Sequence, residues 1–176
     1  MGATFSHIVE ETRRELAVFA AEMMGAQAYL GQFAQHGKPI QLSRAERRRL
    51  LQLIDASGDP YMVIDPRPGL RILDVNDAYA AQTLTQRSGV AGDRLFDVFP
   101  DNPDMPDADG VSNLFESLQR ATQTGQRHVM VRQRYDVRDA RGCFVERHWL
   151  PTNTPVFDER GSLLYVLHHA VQVPPV

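Results

Sequence analysis

The chain has 176 residues, 43% hydrophobic and 23% charged, with 19 Lys and Arg against 22 Asp and Glu for a formal charge of -3. That is the composition of one soluble domain with room for an extra element, and it excludes both disorder and nucleic-acid binding driven by bulk charge, since a mildly acidic chain repels phosphate. No apolar run approaches the roughly 20 residues needed to cross a bilayer, no charged start leads into an apolar signal segment, and the single cysteine, Cys143, excludes an intrachain disulfide. These features predict a cytoplasmic protein with neither a membrane nor a nucleic-acid partner.

The first predicted element is a long helix over about residues 5–35. At steps of three and four it carries Val9, Thr12, Leu16, Phe19, Met23, Ala26, Leu30 and Phe33, a heptad seam that is apolar at all but Thr12. Ala20, Ala21, Gly25, Ala28 and Gly31 form a second, small-residue face. A helix apolar on more than one side buries more than one side, against its own domain or against the same helix of a second chain. The regular spacing favours the second arrangement, so residues 1–37 are read as a dimerisation segment, with Val9, Leu16, Phe19, Met23, Leu30 and Phe33 as its contacts. The same helix is expected to rest on the outer sheet face near Tyr165 and Leu167.

Residues 38–176 form the second unit. Ser43 and Glu46 make a capping box for a helix over about 43–56, whose Leu50, Leu51, Leu53 and Ile54 supply an apolar stripe opposite the solvated Arg44, Arg47, Arg48 and Arg49. The pattern then becomes strand-like. Tyr61 to Ile64 and Leu70 to Val75 flank Asp65-Pro-Arg-Pro-Gly69, a turn forced by two prolines and a glycine. Asn76 or Asp77 caps a short helix to about Thr83, and Leu95 to Phe99 is a helical turn. Pro100 to Gly110, with prolines at 100, 103 and 106, cannot be regular. A longer helix begins at Asp109 or Gly110 and carries Val111, Leu114, Phe115, Leu118 and Ala121 on one side as far as Gly125. Strands at about 127–137, 143–155 and 163–173 close the chain through glycine-containing hairpin loops. The sum is an α+β domain: five antiparallel strands in one sheet, covered by the helices inserted between strands two and three.

That order resembles a PAS domain. Gly69-Leu-Arg-Ile-Leu-Asp-Val-Asn-Asp-Ala-Tyr79 is similar to the family's second strand running into an Asn-capped helix. Thr154-Pro-Val-Phe-Asp-Glu-Arg-Gly161 followed by Leu163 to Leu167 resembles its closing hairpin. Phe99-Pro-Asp-Asn-Pro-Asp104 and Glu146-Arg-His-Trp-Leu-Pro151 resemble a subgroup found ahead of histidine kinase modules. The resemblance covers about residues 44–173. It implies a sensory fold that encloses a small-ligand cavity and signals through flanking helices, with a histidine kinase or another signalling module as partner; the homodimer is expected from the heptad seam.

Under that resemblance, Tyr79, Phe96, Phe99, Leu114, Trp149 and His168 are the expected cavity residues, with Val166, His168 and Ala170 facing inward on the last strand. The identity of any cofactor is left open. Flavin photosensors of the family carry their adduct cysteine between strands two and three, where residues 88–113 have none, and Cys143 instead opens a strand. Heme is disfavoured because the helix from Val111 to Thr124 lacks a histidine; His128 lies beyond it, and His36 is read as loop surface. Pro103 and Pro106 break the ligand spacing that a calcium loop would need from Asp101, Asp104, Asp107 and Asp109, so no metal is expected. The chain itself is read as non-catalytic. The rival reading is a small-molecule isomerase or dehydratase on an α+β cone, using an Asp or Glu with a His; Glu146 and His148 are the available pair.

Overall fold

The computed structural model describes residues 43–175. The expected dimerisation contacts Val9 to Phe33 lie outside the described residues, as does His36. Helix α1 (Arg44–Ser57) opens with both halves of the capping box: Glu46 N donates to Ser43 Oγ at 3.2 Å and Ser43 N to Glu46 Oε2 at 2.8 Å. Gly58, left-handed at φ 69°, ends it. Strands β1 (Tyr61–Asp65) and β2 (Arg71–Val75) form the expected hairpin. Three short helices follow, α2 (Asp77–Gln82), α3 (Arg87–Val90) and α4 (Leu95–Val98), and then α5 (Gly110–Thr124) after the proline-rich loop.

The five-position antiparallel sheet has the order β2-β1-β8-β7-β3. Its long members are β7 (His148–Phe157) and β8 (Leu163–Val173). The third strand expected from the sequence is broken into β3 (His128–Val129), β4 (Gln133–Arg134) and β5 (Val137–Arg138), and the fourth gives up β6 (Phe144–Val145) at its start. Between β3 and β4 the cause is a bulge. His128 pairs with Asn153, but Gln133 pairs with Trp149, so one extra residue is taken up between them. From Gln133 onward the pairing holds its new register through Val137 opposite Val145.

The sheet carries apolar side chains on both faces. Inside, Met62, Ile64, Ile72, Val75 and Val166 are fully buried beneath α2 to α5, together with Leu95 of α4. Outside, Leu50 and Ile54 of α1 pack on Tyr61, Val63, Val156, Leu164, Tyr165 and Leu167. α1 thus reaches the face near Tyr165 and Leu167; the contact expected there from the N-terminal helix lies outside the described residues. Toward β3 no described element covers the outer face, and Val129, Val131, Leu150 and Val171 are exposed there.

Asn76 joins these layers. Its Oδ1 accepts from the backbone N–H groups of Tyr61 and Tyr79, each at 3.0 Å, and its Nδ2 donates to the carbonyls of Ile54 and Asp59. One amide, 2% exposed, thus caps α2, ends α1 and starts β1. Asn76→Ala removes all four bonds and strands buried backbone groups, each costing about 1 to 3 kcal/mol when unpaired. Relaxation will recover part of that, so a loss of roughly 3 kcal/mol is expected in urea unfolding; a loss under about 1 kcal/mol would show that the neighbouring backbone pairs without it.

Candidate functional site

The inner sheet face and its helical cover enclose a cavity. Strand alternation brings Trp149 and Pro151 of β7 and His168 and Ala170 of β8 into its wall; Tyr79, Phe99, Leu114, Met130 and Tyr135 complete the other sides. Five of the six residues expected from the sequence are therefore brought together. Phe96 is not part of the wall. Leu95 and Phe99 share the buried side of α4 at a spacing of four, which turns Phe96 away to meet the exposed Phe115 edge-on, ring centres 6.4 Å apart. The cavity volume is about 40 Å³.

A chain of polar groups runs from this cavity to the sheet edge. His168 Nδ1 lies 2.7 Å from Asn153 Oδ1, Asn153 Nδ2 donates to Ser117 Oγ at 2.7 Å, and Ser117 Oγ lies 2.7 Å from His128 Nδ1 on β3. Asn153 Nδ2 also approaches the Met130 sulfur at 3.7 Å, which orients the amide with its oxygen toward His168. A carbonyl oxygen only accepts, so His168 carries its proton on Nδ1. Burial pushes the His168 pKa down from its ordinary 6.5 to about 3, and the neighbouring His169 adds to the effect. The ring is neutral, and its Nε2 is bonded to no protein group among the described residues.

The aromatic wall is fixed from behind. Tyr135 donates its hydroxyl to the Phe99 carbonyl, and Trp149 Nε1 donates to the Tyr135 carbonyl at 2.8 Å. Burial, with Asp101 and Tyr79 nearby, raises the Tyr135 pKa well above the ordinary phenol value; burial alone raises that of Tyr79. Gly110 makes this packing possible, since a Cβ there would lie 2.7 Å from the Tyr135 ring. Tyr79 meets His168 edge-on at 5.9 Å between ring centres, and its hydroxyl, like His168 Nε2, has no protein partner among the described residues.

A sheet of this order, an Asn-capped helix after β2 and a cavity under the inner face are matched by a known sequence pattern: that of the PAS fold covers residues 54–173. The chain belongs to the PAS fold family. Its fold is similar to that of a LOV protein from Rhodobacter sphaeroides (TM-score 0.57, 13% identity, 75% of this chain and 69% of that one). It is also similar to the PAS domain of the fruit-fly ELK potassium channel (TM-score 0.53, 10% identity, 72% and 96%) and to one from Colwellia psychrerythraea (TM-score 0.53, 12% identity). No curated protein matches it by sequence. At these identities the likeness carries the fold.

The wall of this PAS domain does not fit a flavin or a heme. Sites for organic cofactors run to several hundred Å³, against about 40 Å³ here. Cys143 is exposed at the Asp139–Cys143 hairpin loop and is not in the wall. Glu146 and His148 do pair, at 3.0 Å, but outside the cavity, where Arg134 also holds Glu146 at 3.2 Å. Among the described residues no carboxylate lines the cavity beside His168, so the Glu146 and His148 pair does not converge with it there.

Among the described residues, no His, Cys, Asp and Glu cluster of three or more could hold a metal, and no helix is long and apolar enough to cross a membrane. Asp101, ten residues upstream, accepts from Val111 N at 3.0 Å and caps α5, whereas Asp109 makes no side-chain cap bond. Sequence reading missed Asn153, Ser117, Tyr135, Met130 and Gly110. Asn153 was within reach, because it continues the inward set of Trp149 and Pro151; the others needed the bulge and the helix docking.

Two expectations follow. His168 has a folded pKa below its unfolded one, so the unfolded chain binds the extra proton. Its contribution to stability is whole above about pH 6.5 and is lost as pH falls toward 3. Denaturation midpoints between pH 7 and 4.5 should fall less steeply in His168→Gln, by up to about 1.4 kcal/mol per pH unit; identical slopes would mean that the imidazole charges freely in place. Gly110→Ala should cost about 1 to 3 kcal/mol in thermal unfolding, because overpacking against the Tyr135 ring outweighs the better helix propensity. An unchanged midpoint would show that the ring can retreat.

Proposed function

We propose that this chain is the input region of a cytoplasmic signalling protein, a two-component sensor or a module working with one, whose PAS cavity takes a small molecule and whose N-terminal segment pairs with that of a second copy. The observation that carries the ligand reading is the pair of unpartnered groups, His168 Nε2 and the Tyr79 hydroxyl, in an otherwise apolar wall. Buried polar groups are ordinarily satisfied, and an apolar cavity with few orienting groups is the usual form of a small-molecule site.

Assembly is supported by the heptad seam of Val9, Leu16, Phe19, Met23, Leu30 and Phe33 and by the uncovered strip of Val129, Val131, Leu150 and Val171. Signal transfer requires that two states of the domain engage a partner differently. The routes available are the N-terminal segment and β8, which leaves the sheet into Pro174-Pro175.

Burying the seam side chains gains about 1.5 to 3 kcal/mol for each large residue, enough to offset the cost of association. Sedimentation of the full chain should give a dimer at micromolar concentration, and Leu16→Glu with Met23→Glu a folded monomer. A wild-type monomer at high concentration would exclude the dimeric reading. Native mass spectrometry of freshly purified protein tests the ligand: a retained or titratable small mass is expected, lost when Trp149→Arg places a charge in the wall.

A further inference from the structure

We infer that the cavity selects a small, neutral molecule that donates a hydrogen bond, received by His168 Nε2. The inference rests on the reading of the cavity as a ligand site, and it follows from which wall atoms are already engaged. Thr83 Oγ1 donates to the Tyr79 carbonyl at 2.8 Å, and the Gln133 amide is held by Asn113 at 2.8 Å and by the Val131 carbonyl at 3.1 Å. Trp149 Nε1 and the Tyr135 hydroxyl are bonded to backbone carbonyls. That leaves His168 Nε2 and the Tyr79 hydroxyl to orient a guest.

The direction of the His168 bond is fixed by its neighbours. Because Asn153 turns its oxygen toward Nδ1 and its nitrogen toward Ser117 and Met130, the imidazole spends its one proton on Asn153, and Nε2 presents a lone pair. A guest must bring the proton. Among the described residues no Lys, Arg, Asp or Glu lines the wall, so an ionised guest would lose its hydration without an opposite charge, a cost that excludes anions and ammonium ions alike. The Tyr79 hydroxyl, which can donate or accept, serves the guest's second polar atom or turns aside. The small volume restricts the guest to a few heavy atoms, the class of short alcohols and single azole-type rings.

Pyrrole and furan separate donor from acceptor at nearly constant shape: five-membered neutral rings, the first with an N–H, the second with an ether oxygen. Titrated into the isotope-labelled full chain and followed by amide shifts around Leu114, Met130 and Ala170, pyrrole should bind at least tenfold more tightly than furan. His168→Phe should bring the two within a factor of two. Furan binding as well as pyrrole, or the preference surviving in the variant, would overturn the donor rule and leave the cavity as a ligand site. Shifts with neither ring would overturn the ligand reading as well. Nitrogen-15 spectra of the wild-type histidines give a test independent of the variant: His168 should show its proton on Nδ1 and a bare Nε2, and a proton on Nε2 would overturn the inference.

Discussion

The four hydrogen bonds of the Asn76 amide hold the end of α1, the first residue of β1 and the first turn of α2 at fixed separations, and the rest of the domain is built outward from that junction. A buried amide has two donors and two lone pairs, and here every one is used, so any displacement of the three elements costs an unpaired buried group. Two consequences matter for the site. The cap at Tyr79 sets the start of α2 and hence turns the Tyr79 ring toward His168. The bond to Tyr61 N sets where β1 begins opposite β8, and Met62 then pairs with His168 itself. A single side chain at the end of β2 thereby governs what faces the cavity two strands away.

Asn153 performs the corresponding task at the other end of the sheet. It is fully buried on β7 and joins β8 through His168, α5 through Ser117 and, by way of that serine, β3 through His128. A polar chain of this kind contributes little net energy compared with an apolar core, yet it is directional, because each donor decides the next acceptor. The direction is what gives the His168 ring a defined lone pair. The same burial that makes the ring neutral makes it sensitive to whatever enters beside it, since a low-dielectric wall leaves electrostatic contacts unscreened.

The two faces of the sheet divide the labour. Its inner face, under the short helices, supplies the cavity. Its outer face is covered on one half by α1, and on the other Leu150 and Val171, exposed among the described residues, pair across β7 and β8 next to the broken edge strand. β8 contributes to both, carrying His168 inward and Leu167 outward on adjacent residues, so a shift along this strand in response to a guest would be felt beneath α1.

The sequence by itself determined what is local or periodic. The Ser43–Glu46 box, the Asp65–Gly69 turn, the Asn76 cap and the alternation that points Trp149 and His168 inward each depend on chemistry within a few residues of one another, and the PAS resemblance rests on the order of those signals. Tertiary structure decided what depends on packing between distant segments. Phe96 was misplaced because a four-residue helix has no periodicity to read, and docking alone chose Leu95 and Phe99 as its buried side. The α5 cap passed to Asp101 across a proline-rich loop whose path no local rule predicts. The third strand broke at a bulge that only the register of β7 makes necessary. Most of the polar chain was invisible for the same reason: Ser117, Asn153 and His128 lie far apart in the chain, and a hydrogen bond between side chains leaves no pattern in a sequence until the backbone has brought them within 3 Å.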